Sequence, residues 1–430
     1  MVGCLEYIAD LHIHSKYSRA TSQRNDLPTL ADWAKWKGID ILGTGDFTHP
    51  MWLREIKKFL REAGEGLYRL DPNKVGDRVG LRTYFLLSVE VSTVYRTEDG
   101  RLRKVHHVIL APNLDVVEDV NRVLSKYGNL NWDGRPQLKI SSDRLVDLLT
   151  NIDPDLEIFP AHVWTPWFGV FGSKSGFDSL EECYREQLSN IHAIETGLSS
   201  DPPMNWRLSV LDKYSIVSFS DAHSPENLGR EATVFSLSDE PSYYEIIGAI
   251  RNKKIVRTIE FYPEEGKYHY DGHRNCNIRL SPRESLRYNN ICPVCHKPLT
   301  LGVEHRVEEL ADRPEGYIPS GAAPYEHLIP LREILSQVLK TNKSSKKVMD
   351  LYWKLVEYFG SEYKVLTAPY DDLLLAVGDE SVAKAIVDAK IGNVTIVPGY
   401  DGVYGKILVG KVNVSKGNVP NQKTINEFLE

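Results

Sequence analysis

Short apolar runs alternate with amphipathic stretches from Ile8 to about Thr258. The apolar runs have the length of buried strands, and the intervening stretches repeat apolar positions every three to four residues, as helices do. This alternation predicts an α/β domain with a largely parallel sheet, and we expect a barrel. After an opening apolar run, the predicted strands are IDILGTGD, TYFLLSVEV, KVHHVILAP, EIFPAHV, IHAIETG and YSIVSFSDAH.

A different pattern follows the turn-rich passage EFYPEEGKYHYDGHRNC and the linker RPEGYIPSGAAP. Helical periodicity occurs in EHLIPLREILSQVLK, SSKKVMDLYWKLVEYFG, YDDLLLAVG and ESVAKAIVDAKIG, and the glycine-rich hairpin VPGYDGVYGKILVG comes after them. We therefore expect a barrel at 1–262, a small metal-binding module at 263–315, a helical C-terminal domain at 316–412 and a flexible tail at 413–430.

Composition narrows the class of protein. At 430 residues, with 42% hydrophobic and 26% charged residues, the chain fits a globular protein of several domains. It lacks a secretory signal pattern and any window of about 18 apolar residues, so we expect an intracellular, cytoplasmic protein without membrane association. The net charge of −7 argues against bulk electrostatic coating of nucleic acid but leaves room for a local basic groove.

Histidines and carboxylates stand at the predicted strand ends. In DLHIHS, His12 and His14 share one face, because alternate residues of a strand point the same way, and both can bind one metal ion. Glu195 is either a further ligand or a residue that orients one. So many nitrogen and oxygen atoms suit two or three divalent ions of zinc, magnesium or manganese. The other candidates are Asp46, His49, Glu90, His106, His107, His162, Asp221 and His223.

The motifs DLHIHS, TGDFTH, SVE, HHVIL, AHV and SDAHS occur in the order found in the PHP (polymerase and histidinol phosphatase) superfamily, which the chain resembles over its first ~260 residues. The resemblance implies a PHP-type distorted β/α barrel whose metals hydrolyse phosphoesters. It implies a first metal at His12, His14, Glu90 and Asp221, with His12, Glu90 and Asp221 as catalytic residues. It also implies that Glu90 bridges to a second metal held by His106 and His162.

We prefer His106 to His107 as the ligand. HHVILAPN aligns with the HLxLLxxN form of the bacterial replicative polymerase domains, and adjacent strand residues point to opposite faces, so only one of the two histidines can face the metals.

The third metal position of the superfamily departs from its pattern in this chain. The expected histidines correspond to Ala20 and Phe47. Asp46 and His49 are the replacements that we expect beside His223.

Two ligand pairs with the same two-residue gap, His273 to Cys276 and Cys292 to Cys295, predict a second metal site. Each pair can form a knuckle, and together they close a tetrahedral site without an open position, which indicates structural zinc. Thiolates favour zinc over magnesium, and the clustered cysteines fit a reducing compartment. His296 and His305 are alternative fourth ligands.

A PHP-type barrel, an HxxC/CxxC module and a helical domain ending in PGYDGVYG together resemble the archaeal endonuclease Q family over nearly the whole chain. The resemblance implies a DNA-repair endonuclease that nicks on the 5′ side of hypoxanthine, uracil, xanthine and abasic sites. The residues themselves predict only metal-assisted phosphodiester hydrolysis. The alternatives are a small-molecule phosphatase of the histidinol-phosphate type and a non-catalytic, clamp-associated DNA-binding protein.

The loop after His162, VWTPWFGVFGSKSGF, is expected at the metal end of the barrel. Its aromatic side chains can stack on DNA or, alternatively, pack against the zinc-binding module. The candidate DNA contacts are Arg19, Trp164, Trp167, Phe168 and Lys174.

The tail contains Gln422, Ile425, Phe428 and Leu429 in the pattern Q-x-x-[ILM]-x-x-F-[FYL] of peptides that bind the PCNA sliding clamp. A short turn would present the three apolar side chains as one anchor, with Gln422 hydrogen-bonding beside it. Docking of this turn onto its own protein is the alternative.

Overall fold

The computed structural model describes residues 4–411, and its strands include every run predicted from the sequence. The strands are β1 (Leu5–Asp10), β2 (Ile41–Gly43), β3 (Leu60–Gly64), β4 (Leu67–Leu70), β5 (Tyr84–Arg96), β6 (Leu102–Ala111), β7 (Gln137–Leu138), β8 (Glu157–Pro160), β9 (Ala193–Glu195), β10 (Ser215–Val217), β11 (Ala232–Leu237), β12 (Arg257–Glu260), β13 (Asp271–His273), β14 (Ile278–Leu280), β15 (Tyr325–His327), β16 (Val394–Val397) and β17 (Lys406–Val409).

Helices follow most of the strands and fill the C-terminal region. They are α1 (Leu27–Lys37), α2 (Pro50–Phe59), α3 (Pro72–Val75), α4 (Leu114–Leu124), α5 (Ser142–Thr150), α6 (Leu180–Tyr184), α7 (Pro202–Trp206), α8 (Tyr243–Arg251), α9 (Pro282–Arg287), α10 (Val303–Leu310), α11 (Leu331–Leu339), α12 (Lys346–Phe359), α13 (Glu362–Thr367), α14 (Tyr370–Val377) and α15 (Glu380–Lys390).

Local signals in the sequence set several helix ends. Asp26 caps α1 by accepting a hydrogen bond from the backbone N–H of Thr29, and Gly38 ends the helix in the left-handed region with φ of 90°. Ser242 and Glu245 form a capping box at the start of α8. These ends follow from residue type alone.

The main sheet is mixed, so the expectation of a largely parallel sheet is wrong. Strands β1, β2 and β5 are parallel neighbours, whereas β11 pairs antiparallel with β1, and β6 pairs antiparallel with both β5 and β8. The turn between β5 and β6, residues 97–101, is too short for a crossover, and a connection of this length forces the antiparallel arrangement.

The strand pairings do not confirm the predicted barrel. Strands β9 and β10 pair with each other as a separate two-stranded sheet within residues 4–411. A backbone hydrogen bond of 3.0 Å from Val163 to the carbonyl of Glu195 nevertheless connects the end of β8 to β9. The α/β class of the fold is confirmed. The closure of the sheet into a barrel is not confirmed.

Buried side chains lie on both faces of the sheet. In β6, Val108 and Leu110 belong to one apolar cluster, whereas Ile109 and Ala111 belong to the other. A strand buried on both sides has an almost continuous apolar sequence, which explains the run KVHHVILA. Polar side chains within such a strand, His106 and His107 here, are therefore buried as well.

The C-terminal helices, confirmed as a helical region, share one apolar cluster with α1. The ring of Trp353 lies 4.8 Å from that of Trp36, and the ammonium of Lys37 forms a buried ion pair of 2.6 Å with Glu362. Strand β15 pairs with β12, so the main sheet takes a strand from beyond residue 315. The domain boundaries at 262, 315 and 412 stay predictions.

Among residues 4–411, none of the helices combines the length and the apolar character that crossing a membrane requires. The predicted clamp-binding residues of the tail lie outside the described part of the chain.

Candidate metal centre and its cleft

The first group of converging side chains comes from the segments after β1 and β10 and from β5. A bridge between Ile13 and Ala222 holds the first two segments together. The Nε2 of His14 lies 3.2 Å from Oε2 of Glu90 and 3.0 Å from Oδ1 of Asp221, and the Nε2 of His12 lies 3.7 and 3.8 Å from the same oxygens. Four possible ligand atoms thus surround one point.

A second group shares Glu90. Ser92 is opposite His106 in the β5–β6 register, so Glu90, two residues before Ser92, lies on the same face of the sheet as His106. Oε1 of Glu90 lies 2.5 Å from Nδ1 of His106 and 3.0 Å from Nε2 of His162, and these nitrogens are 3.1 Å apart. The two oxygens of Glu90 therefore face different groups, which is the arrangement of a bridging carboxylate.

The first group fits a divalent cation. The Nε2 atoms of His12 and His14 and Oδ1 of Asp221 are buried and make no well-aligned hydrogen bond. Buried polar atoms without partners are costly, and a cation would satisfy all three. Ligand atoms around tetrahedral zinc are ~3.4 Å apart, which lies within the 3.0 to 3.8 Å found here.

Two buried carboxylates orient the histidines. Oε1 of Glu195 accepts a hydrogen bond of 2.9 Å from Nδ1 of His12, and Oε2 accepts one of 2.8 Å from the backbone N–H of His162. Oδ1 of Asp46 accepts one of 3.0 Å from Nδ1 of His14. Such contacts turn Nε2 of each histidine towards the metal position. The structure places Asp46 as a partner of His14, and of the two roles open to Glu195 its contacts support the orienting one.

The charges of the site favour metal binding. Burial alone would raise the pKa of Glu90, but His106, Arg135 and His12 hold it well below its usual range. Burial lowers the pKa of His106 to about 4 despite the attraction of Glu90. At neutral pH the carboxylate is therefore ionised and the His106 ring is neutral, which are the forms that bind metals. The neighbouring carboxylates outweigh burial at His12 and His14 and hold the pKa of both rings well above its usual range, so a metal ion would displace a proton from each.

The backbone is strained at the same place. Asp46, His162 and Asp221 have φ of 49°, 32° and 47°, in the left-handed region that residues other than glycine rarely adopt. Surrounding contacts must hold these conformations against their cost, so the positions of the side chains are well defined.

The residues expected at a third metal site do not meet. Nε2 of His49 lies 3.2 Å from the carbonyl of Asn131, and its ring stacks 4.5 Å from that of Tyr17. His223 packs 4.7 Å from the ring of His14, and its Nδ1 lies 2.8 Å from the backbone carbonyl of Asp221. Within residues 4–411, neither His49, His223 nor Asp46 belongs to a group of three converging ligand atoms.

The adjacent histidines of β6 lie on opposite faces. His106 joins the second group, whereas His107 is buried against the ring of Tyr184 at 5.8 Å. Burial lowers the pKa of His107 to about 3, so its ring is neutral at physiological pH.

The aromatic loop after His162 splits between core and cleft. Trp164 is fully buried, and its Nε1 donates a hydrogen bond of 2.8 Å to Asn205, so the prediction that it stacks on DNA is wrong. Trp167 is 52% exposed, and the ring of Phe168 lies 4.3 Å from that of His106. The two tryptophans are only three positions apart, but the loop between them is irregular, so one is buried and the other reaches solvent.

An open cleft of about 600 Å³ lies over the converging histidines and carboxylates. Trp167, Phe168 and the exposed Arg19 line it together with His106, His162 and Asp221. Lys174 is exposed in a neighbouring cleft of about 870 Å³, whose lining also contains Arg101, Arg103, Lys104 and Arg306.

Arg135, which no sequence motif indicated, also lines the cleft over the converging side chains. Its Nη1 lies 3.1 Å from Oε2 of Glu90. Arg135 follows a turn in the loop GNLNWDGRPQ, which shows no periodic pattern and matches no metal or phosphate motif. The turn residues Asn, Asp and Gly were its only signal.

The four predicted zinc ligands converge, as the spacing indicated: His273, Cys276, Cys292 and Cys295. Nδ1 of His273 lies 3.5 Å from the sulfur of Cys295. The apolar core beside them is small and consists of Ile278, Leu280, Cys292 and Leu299. A segment with so little buried apolar area needs a metal link, and two thiolate knuckles fit zinc.

The alternative fourth ligands lie elsewhere. Nδ1 of His305 is 2.7 Å from a carboxylate oxygen of Asp271, and His296 is exposed. Neither belongs to the converging group in the described part of the chain.

Helix α10, which lies near the end of the predicted module at 263–315, contacts the aromatic loop. The guanidinium of Arg306 donates hydrogen bonds of 3.1 and 3.2 Å to the carbonyls of Phe171 and Phe177. The position of the module thus depends on the same loop that carries Trp167.

Comparison with known proteins gives partial and full-length matches. The family model described as the MJ0043 C-terminal domain matches residues 330–390, the region of α11 to α15. The uncharacterised protein MJ0043 of Methanocaldococcus jannaschii is 33% identical over 250 residues, or 57% of this chain. The match spans only 31% of the length of MJ0043.

Two solved structures match almost the whole chain. The lesion-specific endonuclease PfuEndoQ of Pyrococcus furiosus is 31% identical, with a TM-score of 0.83 over 97% of this chain and 100% of its own. Endonuclease Q in complex with a 27-mer duplex that has an abasic lesion at the active site is also 31% identical. Its TM-score is 0.81 over 96% of this chain and 100% of its own.

We expect His106→Ala to remove about one divalent ion per chain, because it deletes a nitrogen of the second group. Elemental analysis by mass spectrometry after desalting measures the loss. His107→Leu is the matched control, since it changes the adjacent buried histidine on the opposite face and should keep the wild-type metal content. Equal metal loss in both variants would contradict the assignment of His106.

We expect Cys292→Ser to lose one zinc ion per chain while metal bound around Glu90 stays, because a hydroxyl replaces a sulfur ligand. The module should then become sensitive to proteolysis, since its small core depends on the metal. Cys183→Ser is the control, as this buried thiol lies outside the group. Unchanged zinc in Cys292→Ser would rule out the site.

Proposed function

This chain belongs to the endonuclease Q family, and we propose that it is a DNA-repair endonuclease that nicks the strand on the 5′ side of a damaged nucleotide. Membership of this family confirms the prediction that the protein is an endonuclease-type enzyme. The observation that carries the proposal is the full-length match to endonuclease Q holding an abasic duplex at its active site. We further propose that deaminated bases, namely hypoxanthine, uracil and xanthine, are substrates besides abasic sites.

The converging side chains support hydrolysis of a phosphodiester. Two divalent cations, when bound, would lower the pKa of a water molecule and stabilise the charge that develops on the phosphate. His12, His14, Glu90 and Asp221 would hold one cation, and Glu90, His106 and His162 the other. Glu195 and Asp46 would keep the histidines oriented. Hydrolysis adds water across the bond between phosphorus and O3′, leaving a 3′-hydroxyl and a 5′-phosphate.

The cleft supplies groups that suit DNA. The guanidinium of Arg135, whose Nη1 lies against Glu90, can donate hydrogen bonds to phosphate oxygens from its other N–H groups. Trp167 and Phe168 can stack on an extruded base, and Arg19 and Lys174 can contact backbone phosphates. Neighbouring clefts of about 870 and 1250 Å³ extend the surface far beyond what a small phosphate ester needs. A surface of this extent favours a polymeric substrate over the small phosphate ester that a phosphatase would bind.

The remaining parts of the proposal concern cofactors, partners and location. The barrel ions would be zinc, magnesium or manganese, and the four-ligand module would hold structural zinc. The enzyme would work in the cytoplasm with chromosomal DNA, and the tail peptide would bind the PCNA clamp.

We expect Asp221→Asn to lower the nicking rate by roughly 10³-fold or more, equivalent to ~4 kcal/mol of barrier, because it removes a ligand charge from the first group. Labelled duplexes with one hypoxanthine, one uracil, one abasic site or no lesion are incubated with wild type and variant in added Mg²⁺ or Mn²⁺. Product length on a denaturing gel locates the nick.

The controls separate the alternatives. His107→Leu, which alters a buried histidine outside the ligand groups, should keep the wild-type rate. Equal cutting of the undamaged duplex by wild type would contradict lesion specificity. Turnover of a phosphomonoester without nicking would favour the phosphatase, and tight DNA binding without either reaction would favour the non-catalytic protein.

We expect Phe428→Ala to abolish co-precipitation with PCNA while nicking without the clamp stays unchanged, because it removes the central apolar anchor of the peptide. Asn426→Ala is the matched control, since it changes a position of the same peptide that the pattern leaves free. Retained clamp binding in Phe428→Ala would refute this assignment.

A further inference from the structure

Trp132 is the most exposed large apolar side chain among residues 4–411, with 86% of its surface accessible. It stands in the loop GNLNWDGRPQ at 128–137, two positions before Gly134. A tryptophan left almost wholly in water is unusual, because burying it would release a large apolar area. Such exposure marks a surface that meets a partner.

The loop that carries Trp132 is firmly held. The side-chain oxygen of Asn129 accepts a hydrogen bond of 2.9 Å from the backbone of Asn131, and Leu130 is buried. The carbonyl of Asn131 lies 3.2 Å from Nε2 of His49. Trp132 is therefore exposed on a fixed backbone.

The second half of the loop is attached to the metal centre. The backbone N–H of Gly134 donates to the carbonyl of Tyr17 at 3.1 Å. A Cβ atom on Gly134 would lie 2.2 Å from a carboxylate oxygen of Asp46, so the loop lies directly on the residue that orients His14. Arg135 then reaches Glu90. Trp132 thus has a set position relative to the ligand groups.

The surroundings of Trp132 match a nucleic acid strand. Trp132, Tyr17 and Tyr127 line an open cleft of about 1250 Å³ that joins the cleft over the ligands through Arg19, Asp133, Arg135 and Gln137. Its lining contains one acidic side chain, Asp133, and four basic ones: Arg19, Lys126, Arg135 and Lys139. In a protein with a net charge of −7, this local excess of positive charge fits a polyanion.

We propose that Trp132 inserts into the DNA duplex beside the scissile phosphate and stacks on the base next to the lesion, in place of the extruded nucleotide. Apolar side chains that enter a base step in this way unstack it, and an aromatic face replaces the lost stacking for any base. Trp132 is then a positioning residue that keeps the damaged nucleotide out of the helix. It takes no part in the hydrolysis of the phosphodiester itself. The inference rests on the proposed function.

The test uses the full chain and two lesion substrates that differ in whether the bases around the lesion are paired and stacked. One duplex has hypoxanthine in a fully paired strand, and the other has it inside a mismatched bubble whose bases are already unstacked. Trp132→Ala should nick the paired substrate roughly 10- to 100-fold more slowly than wild type, and the bubble substrate at nearly the wild-type rate. Trp132→Phe should restore most of the rate on the paired duplex, since it retains an aromatic face.

A fluorescence measurement checks the stacking directly. With 2-aminopurine next to the lesion and Asp221→Asn protein to prevent nicking, saturating binding should change the emission of the probe. Adding Trp132→Ala to that protein should abolish the change at saturating protein. Leu375→Ala is the control for loss of an exposed apolar side chain, because Leu375 is 77% exposed on α14 and lines none of these clefts.

The outcomes distinguish a failure of the proposed function from a failure of the role of Trp132. If wild type nicks neither lesion substrate, the proposed function fails and the role of Trp132 fails with it. If wild type nicks both and Trp132→Ala equals it on the paired duplex, the role of Trp132 alone is refuted. An equal fall on paired and bubble substrates also refutes it, since that pattern indicates a general defect.

Discussion

The buried carboxylate of Glu90 is the group on which the geometry of this site depends. Its two oxygens face two different groups of histidines, and Arg135 approaches one of them at 3.1 Å. A buried anion needs positive charge close to it, and one guanidinium at the rim does not satisfy both oxygens. Cations held by the two groups of side chains would supply the positive charge that is missing. Segments that are distant in the sequence meet here, and each contributes a possible ligand atom.

The carboxylates that support the histidines also connect the site to its surface. Glu195 and Asp46 accept hydrogen bonds from the Nδ1 atoms of His12 and His14, and this leaves Nε2 directed inwards. Asp46 in addition lies against the backbone of Gly134, in the loop that exposes an aromatic side chain to the cleft. The orientation of His14 and the placement of the loop that exposes Trp132 therefore share one support.

Much of the fold was predictable because it depends on local periodicity. The strand runs, four of the C-terminal helices and the final hairpin have patterns of apolar residues that need no partner to be recognised. Metal ligands with fixed spacing were predictable for a similar reason. Alternate residues of an extended segment share a face, so His12 and His14 had to point together, and the HxxC and CxxC pairs had to form knuckles.

The amino-acid sequence by itself thus determined which segments form helices or strands and which residues are available to bind metal ions. The tertiary structure decided which of these side chains meet. Asp46 follows β2 and Glu90 lies on the neighbouring strand β5; both are acids, and only packing turns one towards Nδ1 of His14 and the other towards the converging histidine nitrogens. Trp164 and Trp167 share a loop, yet one is buried and the other exposed. Contacts such as that between His12 and Glu195 join residues 183 positions apart, and no local pattern can encode so distant a convergence.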